Sequence, residues 1–147
     1  MFDVGKRPES IIWQDTWSVG NDLLDLHHKR IIAYINDLVK ISNLNLDGAG
    51  VDSVKVDKIL ESLLDFTLFH FAAEEKLLER YNYNALDRHK KIHKNLIAQL
   101  QNLRSKFSKV GMPVLPFILN FLNAWLRDHI LGVDMKYSKI VSKRDTV

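Results

Sequence analysis

The sequence predicts an all-α protein, an up-down-up-down four-helix bundle with an N-terminal arm packed on it. Glycine and proline are scarce, with 6 and 3 among 147 residues. They fall mostly between long segments in which apolar residues recur every three or four positions, which is typical of amphipathic helices. Four such segments joined by short connections bury their apolar faces most simply in one antiparallel bundle. We therefore treat residues 1–147 as a single domain.

The helices are expected over about residues 23–42, 53–80, 85–109 and 114–131. A polar loop with two glycines follows the first, and Asp52 or Ser53 can cap the second. Pro116 is acceptable near the start of the fourth helix, because the first turn of a helix does not need its N–H groups for internal hydrogen bonds. Residues 1–22, with Trp13 and Trp17, form the predicted arm, and residues 135–147 form a short polar tail.

Composition excludes several classes of protein. The absence of cysteine rules out disulfides, thiol catalysis and iron–sulfur clusters. No apolar run approaches the roughly 20 residues that span a bilayer, and residues 1–10 lack an apolar signal core, which favours a cytoplasmic location. The net charge of +3 comes from lysines interspersed with acidic residues, so no basic stripe supports nucleic-acid binding.

The first helix contains two adjacent histidines, which point about 100° apart. Except for Asp25, the positions three or four residues from His28 are apolar: Leu24, Ile31, Ile32 and, one turn further, Ile35. The same steps from His27 reach charged residues, among them Arg30. The periodicity therefore predicts that His28 faces the core and that His27 lies at its rim.

The other three helices also place histidines on their apolar faces. The second has His70 with Glu74 one turn later, the third has His89 and His93, and the fourth has His129. One such histidine is most often a core residue with an ordinary hydrogen bond. Five imidazoles and a carboxylate could not easily find hydrogen bonds in so small a core, and unpaired buried polar groups cost a few kcal/mol each. The set therefore predicts a metal site.

Asp134 extends this set, although its spacing from His129 is unusual. Five residues of regular α-helix correspond to about 500°, which would turn Asp134 some 140° away from His129. We expect Gly132 to loosen the helix end so that Asp134 turns inward. A regular helix through residue 134 would contradict this expectation.

Seven ligands exceed the coordination number of one transition ion. Imidazoles and carboxylates without sulfur fit iron, manganese, cobalt or zinc. The third helix does not carry the zinc-protease motif, because Lys90 stands where that motif has glutamate directly after the first histidine.

Motifs from all four helices resemble those of the hemerythrin family, above all its single-domain bacterial members. They are D-x-x-H-K at 25–29, H-F-x-x-E-E at 70–75, H-x-x-x-H at 89–93 and W-L-x-x-H-I-x-x-x-D at 125–134. The resemblance implies two iron ions with an oxo or hydroxo bridge. One iron would take His89, His93 and His129, and the other would take His28 and His70. Glu74 and Asp134 would bridge the two. His27 departs from the family pattern, which usually has glutamine there, and is interpreted as a rim residue or at most a neighbour of the ligands.

The same resemblance implies reversible dioxygen binding for storage, delivery or buffering. Two octahedral ions offer twelve positions, of which these ligands and the bridge fill eleven. The open position lies on the iron with two histidines, where dioxygen would be held as a hydroperoxide. Trp125, Leu126 and Ile130 would line the pocket, although they also fit as ordinary core residues.

Other functions are compatible with the same ligands. They are a di-iron redox enzyme with oxidase or peroxidase activity, a sensor of O2, NO or redox state, and iron storage or detoxification. A histidine-rich set favours reversible binding, because di-iron oxidases of the ferritin-like kind use carboxylate-rich ligands. We therefore expect a monomeric binding protein rather than an enzyme, with dioxygen as its ligand and an oxygen-consuming protein as its partner.

Overall fold

Four long helices dominate the computed structural model, which describes residues 7–48 and 50–142. They are α1 (Asp22–Leu46), α2 (Ser53–Arg80), α3 (Leu86–Val110) and α4 (Leu115–Asp128). Over these described ranges the remaining regular structure consists of short helical segments, with no strand. The predicted all-α class is confirmed.

The helix ends follow local signals in the sequence. The side chain of Asn21 accepts a hydrogen bond from the N–H of Leu24 and caps α1, and Asp52 caps α2 through the N–H of Val54. α1 runs four residues beyond its predicted end, and the glycine with a positive φ of 86° follows only at Gly48. Gly111, with φ of 88°, ends α3 in a conformation that favours glycine.

The four helices form a closed antiparallel ring in chain order. α1 contacts α2 and α4, and α3 contacts the same two helices. Most of the apolar core fills one end of the bundle, where Leu38, Leu63 and Leu122 are completely buried. A smaller cluster, with Leu24 and Leu78 at its centre, fills the other end. Buried polar side chains occupy the space between these two clusters, since His28 follows Leu24 along α1 and His70 precedes Leu78 along α2.

The N-terminal arm packs on the bundle, as predicted. Ile11 donates its N–H to the side chain of Asn36 at 2.7 Å, and the Asn36 amide donates back to the Ile11 carbonyl at 2.9 Å. Trp13 and Trp17 pack against the main core beside it. Residues 1–6 of the predicted arm lie outside the described residues.

The C-terminal segment is less polar in its packing than the sequence suggested. After α4 come a π-helical turn (His129–Val133), a 3₁₀ turn (Asp134–Tyr137) and the short helix α5 (Ser138–Ser142). Tyr137 and Val141, one turn apart, are completely buried in the smaller cluster. This segment therefore closes one end of the bundle, and residues 143–147 lie outside the described residues. Among the residues that the structure describes, every helix is too short or too polar to span a bilayer.

Candidate metal centre

All seven residues of the predicted ligand set meet in the polar layer between the two apolar clusters. Their side chains come from all four helices and from the turn after α4, and none is more than 3% exposed. The set consists of His28, His70, Glu74, His89, His93, His129 and Asp134. Their ligand atoms form two overlapping groups, within each of which every pair of atoms lies within 4.8 Å.

Glu74 presents one carboxylate oxygen to each group. Its Oε1 lies 2.6 Å from Nε2 of His89 and 3.0 Å from Nε2 of His93. Its Oε2 lies 3.3 Å from Nε2 of His70. Glu74 therefore lies between two sets of imidazoles, with His89 and His93 at one oxygen and His70 at the other.

Asp134 divides the remaining histidines in the same way. Its Oδ1 lies 3.1 Å from Nε2 of His129 and 3.3 Å from that of His89, and its Oδ2 lies 3.1 Å from Nε2 of His28. We call His89, His93 and His129 the three-histidine group, and His28 and His70 the two-histidine group. This division matches the one that the family resemblance implies.

A π-helical turn brings Asp134 into this arrangement. The N–H of Asp134 bonds to the carbonyl of His129, the i to i+5 hydrogen bond of a π-helix, so Asp134 lies one wide turn after His129. The helix is therefore not regular through residue 134, as expected. Gly132 lies inside the turn, but its φ is not positive and an added Cβ would meet nothing within 4 Å. The hydrogen-bond pattern, rather than a conformation reserved for glycine, carries the turn.

Three residues outside the predicted set hold members of it in place. Tyr137 donates its hydroxyl to Oε2 of Glu74 at 2.7 Å, and Nδ1 of His93 lies 2.7 Å from a carboxylate oxygen of Glu75. Such partners orient metal-binding imidazoles and carboxylates. The role of Glu75 could have been predicted from the sequence, because it directly follows Glu74. Nothing in the sequence pointed to Tyr137, because it lies in the segment that was predicted to be a polar tail.

The third such residue is His27, for which the rim position was wrong, whereas a place beside the ligands agrees with the structure. It was expected at the rim of the core, but its side chain is only 5% exposed. Its Nδ1 lies 2.9 Å from Nδ1 of His70. The rings of Phe66 and Phe69, each 5.5 Å away between centroids, cover it from α2. The pattern of α1 could not reveal this, because the covering residues belong to another helix.

Aromatic and aliphatic side chains pack around the three-histidine group. Phe71 stacks flat on His93, with centroids 3.6 Å apart and planes at 4°, and sequence reasoning missed it although it follows His70 directly. Trp125 lies 5.9 Å from His129 at a shallow angle of 27°. Leu126 and Ile130 are buried nearby in the main core. The dioxygen-pocket role assigned to Trp125, Leu126 and Ile130 stays a prediction.

The buried charges compensate one another in the metal-free protein. Burial opposes ionisation of Glu74 and Asp134, but the close contacts with the surrounding histidines and their charges outweigh it and lower both pKa values. Burial likewise opposes protonation of His89, but the nearby carboxylates of Asp134 and Glu74 raise its pKa to about 9. Burial dominates for His27, and the neighbouring His70 and His28 add to it, so its pKa falls to about 4.

The arrangement fits metal ions on three counts. The atoms Nε2 of His28, His70, His93 and His129 and both oxygens of Asp134 are buried without a hydrogen bond in the described structure. Ligands at adjacent positions of an octahedral ion, each about 2.1 Å from the metal, lie about 3 Å apart, as most of these pairs do. Imidazoles mixed with carboxylates suit iron among the transition metals.

The fold and the site together define a class, an all-helical protein with a hemerythrin-type metal-binding centre inside a four-helix bundle. The family described as the hemerythrin HHE cation binding domain matches residues 19–141. The chain belongs to the hemerythrin family. Its His, Glu and Asp cluster suits the di-iron site of that family.

Named relatives and a solved structure agree with this assignment. The bacteriohemerythrin of Pseudomonas aeruginosa PAO1 is 34% identical over 127 residues, which cover 86% of this chain and 78% of the relative. The myohemerythrin of Riftia pachyptila is 29% identical over 130 residues, 88% of this chain and 92% of its own. A crystal structure of wild-type hemerythrin superposes with a TM-score of 0.78 at 25% identity, covering 91% of this chain and 99% of that one.

Proposed function

We propose that this protein binds dioxygen reversibly at a di-iron centre and acts as an oxygen carrier or buffer rather than an enzyme. His89, His93 and His129 would hold one iron, His28 and His70 would hold the other, and Glu74 and Asp134 would hold both. The two ions would supply the reversible electron transfer that dioxygen binding requires. The protein residues bind and orient the ions and keep water out.

The observation that carries this proposal is the unequal division of ligands by two shared carboxylates. Each carboxylate gives one oxygen to each group. The three-histidine group therefore offers five protein ligand atoms and the two-histidine group offers four. An octahedral ion at the two-histidine group has one protein ligand fewer than its neighbour, and we assign the dioxygen-binding position to it.

The surroundings favour reversible binding over further chemistry. Phe71, Trp125, Leu126 and Ile130 are each less than 10% exposed and apolar, and the carboxylate of Glu75, outside the ligand set, faces Nδ1 of His93. Exclusion of water limits side reactions of bound ligands. The hydroxyl of Tyr137 already donates to Glu74, which fixes the carboxylate and engages the phenol proton in that hydrogen bond.

The test is optical and uses the iron-loaded protein. The protein is reduced without air, oxygen is admitted, and the visible spectrum is followed while oxygen is removed under vacuum. We expect two iron ions per chain and an oxygen-dependent charge-transfer band that disappears under vacuum. A band that decays at once to a stable diferric spectrum would refute reversible binding and favour an oxidase or a sensor. One zinc ion per chain would refute the di-iron centre.

A matched pair of variants locates the binding position. His28→Ala removes a ligand from the two-histidine group and should abolish the oxygen-dependent band. Ile12→Ala changes an arm residue that is 74% exposed and should leave it unchanged. An oxygen-dependent band that survives in His28→Ala would place the dioxygen position elsewhere.

A further inference from the structure

The geometry assigns a positioning role to His27: its Nδ1 accepts a hydrogen bond from Nδ1 of His70 and thereby keeps Nε2 of His70 free to bind metal. The inference deepens the proposed function, on which it rests, because it needs a metal ion at the two-histidine group. It concerns a residue that the ligand set does not include.

Two nitrogen atoms 2.9 Å apart must share one proton, so one ring donates and the other accepts. A neutral imidazole carries its proton on only one nitrogen. Nε2 of His70 points toward Glu74 and the other ligand atoms of its group, at 3.3 Å from Oε2 of Glu74. When Nε2 of His70 binds a metal ion, the proton of His70 must sit on Nδ1. His27 is then the acceptor and carries its own proton on Nε2.

The neighbours of His27 hold its ring in this orientation. The ring meets His70 nearly edge-on, with planes at 84°, and it meets Phe66 at 82°. Phe69 covers it at 53°. The guanidinium of Arg30 lies over the ring of Phe66, 5.3 Å from its centroid, and helps to fix the Phe66 ring that packs on His27. The rings of Phe66 and Phe69 offer no conventional hydrogen-bond partner, so Nδ1 of His27 finds its partner in His70.

The three-histidine group has a partner of a different kind. Nδ1 of His93 faces the carboxylate of Glu75, an anionic acceptor whose side chain is 26% exposed. The partner of His70 is a buried imidazole. Each group thus has a histidine whose Nδ1 is held by a neighbouring side chain. Loss of either partner should lower the metal affinity of its own group only.

Three variants separate the hydrogen bond from packing. His27→Leu fills the space without an acceptor, and His27→Gln restores an acceptor oxygen. Phe69→Leu alters the other side of the His27 ring and removes no polar atom, so it serves as the packing control. Zinc is the probe, titrated into the metal-free protein against a chromophoric chelator. Loss of an outer partner of a metal-binding histidine lowers metal affinity about 10- to 100-fold.

We expect two zinc ions per chain in the wild type, and one of the two affinities reduced about 10- to 100-fold in His27→Leu. His27→Gln and Phe69→Leu should bind close to wild type. Long-range proton–nitrogen NMR of the zinc-loaded wild type should show a protonated Nδ1 on His70 and an unprotonated Nδ1 on His27. This second measurement decides the matter if His27→Leu does not fold.

Two outcomes would overturn the role of His27 without affecting the proposed di-metal site. One is a protonated Nδ1 on His27 with an unprotonated Nδ1 on His70, and the other is unchanged zinc affinities in a folded His27→Leu. A wild type that binds fewer than two zinc ions would instead refute the di-metal site, and with it this inference. The number of ions bound by the wild type therefore tells the two failures apart.

Discussion

Tyr137→Phe isolates one hydrogen bond that supports the candidate metal centre. The Tyr137 hydroxyl donates to Oε2 of Glu74 at 2.7 Å, and both side chains are completely buried. Phenylalanine keeps the ring and its packing in the smaller apolar cluster. Water cannot replace the lost donor without a rearrangement of the cluster, so the variant leaves Glu74 with one hydrogen bond fewer.

The expected cost follows from the charge of the acceptor. Hydrogen bonds to charged groups contribute about 1.5–3 kcal/mol to stability. Glu74 keeps its contacts with His89 and His93, so we expect a loss of about 2 kcal/mol in the metal-free protein. For a chain of this size each kcal/mol corresponds to about 2–4 °C, so Tm should fall by about 4–8 °C.

Urea and thermal unfolding of the metal-free protein, followed by circular dichroism, measure this cost. Tyr83→Phe is the matched control, because its ring lies 6.2 Å from that of Tyr137 but its side chain is only half-buried. The control should change stability by no more than about 0.5 kcal/mol. Equal stabilities of the two variants would refute the reasoning, since the buried hydrogen bond would then contribute nothing net.

Three further predictions concern pH, the π-helical turn and the arm. The raised pKa of His89, about 9 against about 6.5 when unfolded, stabilises the metal-free protein fully below pH 6.5, and this contribution is lost as pH rises through 9. Metal binding needs unprotonated histidines, so the gap in Tm between metal-loaded and metal-free protein should widen from pH 6 to pH 9, and a constant gap would contradict this. Gly132→Ala should leave Tm and the zinc stoichiometry nearly unchanged, because the new methyl meets nothing within 4 Å, whereas loss of one ion would show that the turn needs glycine. Asn36→Ala removes both hydrogen bonds to Ile11, at a cost of about 1–2 kcal/mol. Limited proteolysis should therefore cut the arm faster than in the wild type. An unchanged rate of cleavage would show that other contacts hold the arm.

The sequence was most informative where the argument depended on a single helix. Helical periodicity placed His28 on the core side of α1 and gathered His70, Glu74, His89, His93 and His129 on inward faces. These positions depend only on the 3.6-residue repeat, which the chain carries locally. The bounds of α2 and its cap at Asp52 likewise follow from neighbouring residues.

Contacts between helices lay beyond such reasoning. His27 has a mixed neighbourhood along α1 and was expected at the rim, but Phe66 and Phe69 of α2 cover it. Tyr137 lies in a segment with polar neighbours and becomes buried because α5 and its turn close the end of the bundle. The residue pattern of one helix does not show which side chains of a neighbouring helix will pack against it.

The sequence by itself determined the four-helix class and six of the seven ligand side chains that face inward, because helical repeat and residue chemistry are encoded locally, whereas Asp134 reaches the site through the π-helical turn. Only the tertiary structure decided how the oxygens of Glu74 and Asp134 divide the histidines into a group of three and a group of two. That division depends on a π-helical turn after α4 and on the relative positions of four helices. Distances between atoms on different helices are set by packing of the whole core, which no single segment encodes.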